Sequence, residues 1–234
     1  MRVAALYDVH GNLPALEAVL ADPRCQTADV VVCGGDVLLG PWQAECVERL
    51  LAVGARFLTG NCERQVLDAT SESTTRWCRS QIDERLANLA AAWPLSVGVE
   101  IDALGSVMFC HATPRRDDEI LTRLTPDEIV GDACEGVPLV VCGHTHVQFD
   151  RVAGRTRLVN AGSVGMPYEG RTAAYWALLG PDVELVSSEY DVEAAVAALR
   201  ATGYPASDEL AETLLTPHSA EEATEVFEAR RRGA

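Results

Sequence analysis

Two histidines flank a single threonine at His144-Thr145-His146, directly after an apolar run at residues 139–142 and a break at Gly143. Imidazoles this close together can bind metal. Other polar residues recur in the same setting. Asp8, Asp36, Asn61, His111 and Asn160 each follow an apolar, strand-like run by one to three residues, and His10 stands two beyond Asp8. Four of the five histidines, at positions 10, 111, 144 and 146, therefore lie at or beside such tips. A lone histidine there would ordinarily be structural, but four of them with two aspartates and an asparagine are not explained that way. Imidazole, carboxylate and amide oxygen together suit manganese, iron, zinc, nickel or cobalt, whereas all-oxygen sets suit magnesium or calcium. The set offers more ligands than one ion needs, and two ions sharing a bridging carboxylate would use it. In such a pair, roughly 3.5–4 Å apart, a bridging water is acidified and the ions clamp a phosphoryl group. The chemistry implied is in-line hydrolysis of a phosphate ester.

These tips need strands to hold them. Apolar runs at residues 3–7, 30–33 and 56–59 alternate with helical spacing at 14–20 and 43–52, and each run ends in a polar tip. That repetition signals an α/β layered fold with parallel pairings. Ligands in such folds sit beyond the carboxyl ends of the strands, so tips far apart in sequence gather in one place. Residues 71–75 read as a polar loop, and Trp77, Ile82, Leu86 and Leu89 mark one long amphipathic helix ending before Pro94. Strands resume at 96–101 and 106–110. Thr125, Pro126 and Glu128 predict a helix start, with Thr125 as cap and Glu128 completing a capping box. Residues 139–142 form a further strand, 148–152 and 156–159 a hairpin, 160–165 a glycine-rich turn, and 173–179 and 183–187 two last strands. The absence of a repeat or linker predicts one domain over 1–234, with a helical insertion at about 64–93 and an acidic, helical C-terminal flank at about 190–232. The insertion could pack on the core, cap a cleft or serve a dimer interface, so a homo-oligomer is compatible with the sequence.

Composition bounds the partners. With 48% hydrophobic and 23% charged residues, the 234-residue chain can bury a sizeable core. Its formal charge of −16 disfavours bulk nucleic-acid binding, because phosphate backbones are held by cations. No apolar stretch approaches the length that spans a bilayer, and the chain runs from Met1 straight into a strand rather than a signal peptide. The 8 cysteines contain no C-x-x-C pair, and Cys33, Cys110 and Cys142 sit in apolar runs as small hydrophobes. Reduced thiols in a cytoplasmic protein are expected.

Taken together, the tips resemble the calcineurin-like metallophosphoesterase superfamily, whose pattern is D-x-H, G-D, G-N-[H or C]-[D or E], a lone H, and G-H-x-H. Here the blocks read Asp8-Val9-His10, Gly35-Asp36, Gly60-Asn61-Cys62-Glu63, His111 and Gly143-His144-Thr145-His146, in that order. The turn Asn160-Ala161-Gly162-Ser163-Val164-Gly165 is similar to one in a small bacterial and archaeal phosphodiesterase-like branch. The resemblance implies a four-layer α-β-β-α sandwich of two mixed sheets with a dimetal site at one edge. It implies that one ion takes Asp8, His10, Asp36 and His146 and the other takes Asp36, Asn61, His111 and His144. Asp36 would bridge the ions, manganese first among the candidates, and Asp36, Asn61 and His111 would be the catalytic residues. Asn61 would also touch the substrate phosphate, while Asn160, Gly162 and Ser163 read as turn geometry that supports the site. Arg115 and Arg116 could grip phosphate bidentately or form a solvated surface pair.

Two departures narrow the implied activity. Protein phosphatases of this superfamily carry a histidine where this chain has Cys62, paired with an acid a few residues beyond the bridging aspartate, where this chain has Val37-Leu38-Leu39-Gly40. A thiol is a poor substitute as general acid, and general-acid help typically contributes about 10²–10⁴-fold. A modest enzyme preferring good leaving groups follows, acting on a small phosphodiester or phosphomonoester. Relatives also often carry an arginine where this chain has Tyr168, which leaves Arg171 as a substitute phosphate contact. The alternative from another class is a non-catalytic protein-interaction scaffold on the same fold, recruiting basic partners to its acidic surface.

Overall fold

A computed structural model describes residues 1–68 and 72–233. In chain order the first half runs β1 (Val3–Leu6), α1 (Leu13–Ala21), β2 (Val30–Cys33), α2 (Gln43–Ala52), β3 (Arg56–Phe57), α3 (Asn61–Asp68), α4 (Ser73–Gln81), α5 (Glu84–Ala91), β4 (Ser96–Ile101) and β5 (Gly105–Cys110). The second half runs α6 (Asp127–Ala133), β6 (Leu139–Cys142), β7 (Phe149–Ala153), β8 (Thr156–Asn160), β9 (Ala174–Leu179), β10 (Val183–Ser188), α7 (Val192–Leu199), α8 (Ser207–Leu215) and α9 (Ala220–Arg231).

Two five-stranded mixed sheets result, ordered β10-β9-β1-β2-β3 and β4-β5-β6-β8-β7. The pairs β1–β2 and β2–β3 are parallel in the first, and β5–β6 and β6–β8 in the second. Alternation along each strand builds the layers. Val3, Ala5 and Tyr7 face Val107, Phe109 and Val141 across the gap between the sheets. Ala4 and Leu6 point the other way, onto Leu16 and Val19 of α1 and Leu50 of α2. Val140, Cys142 and Leu158 form the far face of the second sheet, beneath Val130 and Ala133 of α6. Helix, sheet, sheet, helix is the expected four-layer order. Tyr7 also ties one sheet to the other, its hydroxyl donating a hydrogen bond to the Val141 carbonyl at 2.9 Å. All 8 cysteines are free and buried, as expected for reduced thiols. Among the described residues no helix is long and apolar enough to cross a membrane.

Three local expectations are corrected. The single helix through Trp77 and Leu89 is two helices, because Ile82 adopts extended backbone and the Asp83 side chain caps α5 by accepting from the Leu86 N–H at 2.7 Å. Of the polar loop at 71–75, Ser71 lies outside the described residues and Ser73 to Thr75 belong to α4. The capping box before α6 does not form. Pro126 takes the cap position with no side-chain bond, and Thr125 turns its hydroxyl to Glu228, 2.9 Å away on α9.

Candidate metal centre

The strand ends β1, β2, β5 and β6 open toward one edge, where the backbone turns sharply. Asp8, His10, Asp36, His144 and His146 all adopt left-handed conformations, with φ of 52°, 45°, 55°, 66° and 57°. Glu135 is the one other described non-glycine residue with positive φ. Such conformations cost on the order of 1–3 kcal/mol each and persist where the surroundings over-determine them. Here the surroundings do. Asp8 and His10 donate their N–H groups to the carbonyls of Gly35 and Asp36, at 3.2 and 2.8 Å. The Glu63 carboxylate, fully buried, accepts from the N–H groups of Asp36, Val37 and Gly60 at 2.7 Å and of Leu38 at 3.0 Å. Two glycines leave room for the carboxylates: a Cβ at Gly60 would stand 2.2 Å from Asp36 Oδ1, and one at Gly143 would stand 2.3 Å from Asp8 Oδ2.

The side chains converge. Three imidazoles are oriented through Nδ1, which contacts a backbone carbonyl: His10 to Leu39 at 3.3 Å, His111 to Gly34 at 2.9 Å and His146 to Met166 at 2.6 Å. A carbonyl can only accept, so Nδ1 carries the hydrogen and Nε2 is the atom left to take a proton or a metal. The Nε2 atoms of His10 and His146 lie 3.2 Å apart. Asp36 Oδ2 sits 3.5 Å from His111 Nε2 and 4.0 Å from His10 Nε2. Asp8 Oδ1 sits 3.4 Å from His146 Nε2 and 3.9 Å from that of His111. Asp8 Oδ1 is buried with no hydrogen-bond partner in the described structure. Orphaning a buried carboxylate oxygen is costly unless a cation answers it, so these residues fit a divalent ion. Donor atoms close enough to share one occur in Asp8, His10 and His146, in Asp8, Asp36 and His111, and in His10, Asp36 and Cys62. Asn61 completes the His111 side, its Oδ1 3.2 Å from His111 Nε2.

His144 takes a more open place. Its backbone N–H donates to Asp8 Oδ2 at 2.9 Å, and its half-buried ring stands edge-on to His111 with centroids 5.2 Å apart. Asn61 is half-buried too, so these two face the open side while Asp8, His10, Asp36, His111 and His146 lie within.

Charge follows this geometry. Burial pushes the Asp8 carboxyl up, but His146, then His111 and His10, outweigh it and hold Asp8 well below the usual carboxylate range. Burial lowers His146 and His111, yet Asp8 raises the first and Asp36 with Asp8 raises the second above the ordinary imidazole value. His10 is lowered by burial and then by His146, and His144 is lowered to about 4 by burial and then by His111. Two imidazoles thus tend to hold protons against the carboxylates and two stay neutral. A bound metal would displace those protons.

The outlying residues divide. Arg115 lies on Glu119 and Asp132, at 2.6 and 3.0 Å, and Arg116 on Asp118 at 2.8 Å, so both guanidiniums are engaged by carboxylates, as in a surface pair. Arg171 likewise pairs with Glu189 at 2.8 Å. Tyr168 is brought to the site, its ring stacked on His146 at 5.0 Å. On the His10 side, Tyr168 and Tyr204 border a cavity of about 270 Å³. Asn160 and Ser163 support the tips as expected: Asn160 Nδ2 donates to the Gly143 carbonyl at 2.6 Å, and Ser163 Oγ donates to the Asp8 carbonyl at 2.8 Å. Two contributors escaped the sequence reading. Glu63 was visible only as a motif letter, because its partners are backbone amides. Cys62 was read as a missing acid, yet its Sγ lies 3.0 Å from Asp36 Oδ2 and its N–H donates to Asp36 Oδ1 at 2.9 Å.

Fold and site together define an α/β sandwich whose strand-end histidines and aspartates could hold metal. The model of the calcineurin-like phosphoesterase superfamily domain matches residues 1–180. The chain belongs to that superfamily, as its motifs imply. It is similar to an uncharacterized protein of Methanocaldococcus jannaschii, MJ0912, at 28% identity over 82% of this chain and 89% of that one. Its fold is similar to a metallophosphoesterase from Sphaerobacter thermophilus, with a TM-score of 0.75 and 25% identity over 92% of this chain and 99% of that one. The hypothetical protein PH1004 of Pyrococcus horikoshii shares the fold at a TM-score of 0.77 and 18% identity, over 94% of this chain and 99% of that one.

Proposed function

We propose that this chain is a cytoplasmic, metal-dependent phosphoesterase that hydrolyses a small phosphodiester or phosphomonoester at a two-ion centre. The carrying observation is the convergence of histidine Nε2 atoms on a buried carboxylate oxygen that has no hydrogen-bond partner among the described residues. Asp8, His10, Asp36 and His146 would hold one ion, and Asp36, Asn61, His111 and His144 the other, with manganese the first candidate. When bound, such a pair supplies positive charge to the phosphoryl oxygens and acidifies a water.

The chain's own residues account for the rest. Glu63 and the Cys62 N–H fix Asp36, whose Oδ2 lies between His10 and His111 and suits a bridge. Asn61, on the open side beside His144, would also meet the phosphoryl group. With His111 and His146 taken up as ligands, no charged acid is left for the leaving group among the described residues of the centre. Cys62 points at Asp36, and burial, then Asp36 and Glu63, push its thiol well above the usual range. His144, lowered to about 4, is uncharged at neutral pH. The leaving group therefore departs without strong protonation, which favours substrates with acidic leaving groups.

The test is hydrolysis of an activated phosphodiester and the matching monoester with Mn, Ni, Co, Zn or Mg. Asp36→Asn should lose on the order of a hundredfold or more, equivalent to roughly 3 kcal/mol of barrier. An unchanged rate in that variant, or no turnover by the wild type with any metal, would leave the scaffold reading standing instead.

A further inference from the structure

Beyond residue 180, where the family match ends, helix α9 comes over one flank of the metal centre. Its Phe227 ring lies 6.3 Å from His144 and 6.5 Å from Tyr168. Tyr168 stacks on His146 and meets His218, the fifth histidine, edge-on at 6.0 Å. With Ala223 and Val226, the rings of Tyr168, His218 and Phe227 wall a cavity of about 180 Å³. Arg230 lies over the Phe227 ring at 5.7 Å and also lines the cavity. Arg115, Arg116 and Arg171 are neutralised by carboxylates, but among the described residues none pairs with Arg230. Glu222 also lines the cavity, its carboxylate accepting from Ser219 in the cap of α9.

We propose that this cavity is a subsite for a planar aromatic group of the phosphoester, seated beside Tyr168 and Phe227 with the phosphoryl group toward Asn61 and His144. The inference rests on the phosphoesterase reading and names its substrate class. Size supports a single ring system: whole drug-sized ligands fill about 300–1,000 Å³, and this cavity is smaller. Chemistry supports aromaticity, since rings prefer offset or edge contacts with other rings and a guanidinium stacks on their faces. Charge favours this flank over the other, since here Arg230 stands against a single carboxylate, Glu222, among the described lining residues. Across Tyr168, the cavity beside His10 is bordered by Glu72 and Glu209, which would repel an anionic ester, whereas Arg230 would attract it. Tyr168 forms the partition between the two.

Two diesters that share a 4-nitrophenolate leaving group, one with a phenyl and one with a methyl second arm, test this. The readout is the ratio of their kcat/KM values in the wild type, Phe227→Leu and Arg230→Gln, since ratios between proteins cancel the intrinsic reactivity of each ester. We expect the phenyl preference to fall by about tenfold in Phe227→Leu, equivalent to about 1.4 kcal/mol, mostly through KM, and by several-fold in Arg230→Gln. Thermal unfolding of each variant identifies any general loss of structure, and exposed Arg230 serves if Phe227→Leu unfolds. Calorimetric binding of phenylphosphonate against methylphosphonate, with Mn present, needs no turnover. Hydrolysis of both esters with ratios unmoved in either variant overturns the subsite and leaves the phosphoesterase reading intact. Selective phenylphosphonate binding that both variants lose, without turnover of either ester, supports the subsite and sinks the phosphoesterase reading. Equal binding of the two phosphonates, or none, overturns the subsite.

Discussion

At the scale of single residues, Cys62 separates this centre from one with a built-in general acid. Its thiol contacts the Asp36 carboxylate at 3.0 Å and is held protonated by burial and by Asp36 and Glu63. The thiol therefore acts as a donor that positions Asp36. Cys62→Ser keeps a donor in place, so steady-state turnover should change by less than roughly tenfold, below the low end of general-acid help. Cys62→Ala leaves Asp36 Oδ2 short of one bond, a loss of about 0.5–1.5 kcal/mol, and should slow turnover more than the serine variant. Because His10, Asp36 and Cys62 also converge, the thiol could instead ligate a metal. A loss above roughly a hundredfold in Cys62→Ser would establish a thiol role of that size, and thiolate charge-transfer absorption in cobalt-loaded protein would identify it as ligation.

At the scale of elements, α9 is held by one buried carboxylate. Glu228 accepts from Thr122 and Thr125 at 2.7 and 2.9 Å and from Arg231 at 2.7 Å. Burial pushes its carboxyl up, but the bonds from Arg231, Thr122 and Thr125 prevail and bring it down from 4.5 to about 2. A carboxylate lowered by folding stabilises the native state above its unfolded value, and that stability is lost as pH falls through the folded one. Unfolding measured from pH 5 down to about pH 2 should therefore show a stability loss in the wild type that Glu228→Gln lacks. Near neutral pH that variant should be less stable by about 1.5–3 kcal/mol, the range for charge-assisted bonds. Parallel pH curves would refute the assignment. The same contact shows what was legible in the sequence. Strand ends such as Asp8, Asp36 and His144 were readable because an apolar run and the polar tip after it are neighbours in the chain. Thr125 was misread because its partner lies 103 residues away. The break before Asp83 was masked by continuous apolar spacing through Ile82 and Leu86. The approach of Phe227 to Tyr168 had no local signal at all, since it depends on how the C-terminal helices return to the sheets.

At the scale of the whole molecule, the centre must draw an anionic ester into a protein of formal charge −16. The arginines that flank the motifs do not relieve this, because Arg115, Arg116 and Arg171 are spent on carboxylates. Attraction is left to the metal centre and Arg230, at short range, while the rest of the surface repels at long range. Salt screens the second more than the first: the Debye length is about 30 Å at 0.01 M and about 8 Å at 0.15 M. Raising NaCl across that interval should therefore increase kcat/KM for a phosphomonoester, and increase it more for a dianionic monoester than for a monoanionic diester. The gain should stay near or below the roughly tenfold low end of electrostatic steering. A protein built to hold polyanions would show the reverse slope, losing affinity steeply as counterions compete. Falling kcat/KM with added salt for both esters would mean that the local positive field reaches past the acidic surface, and that short oligonucleotides belong among the substrates to be tried.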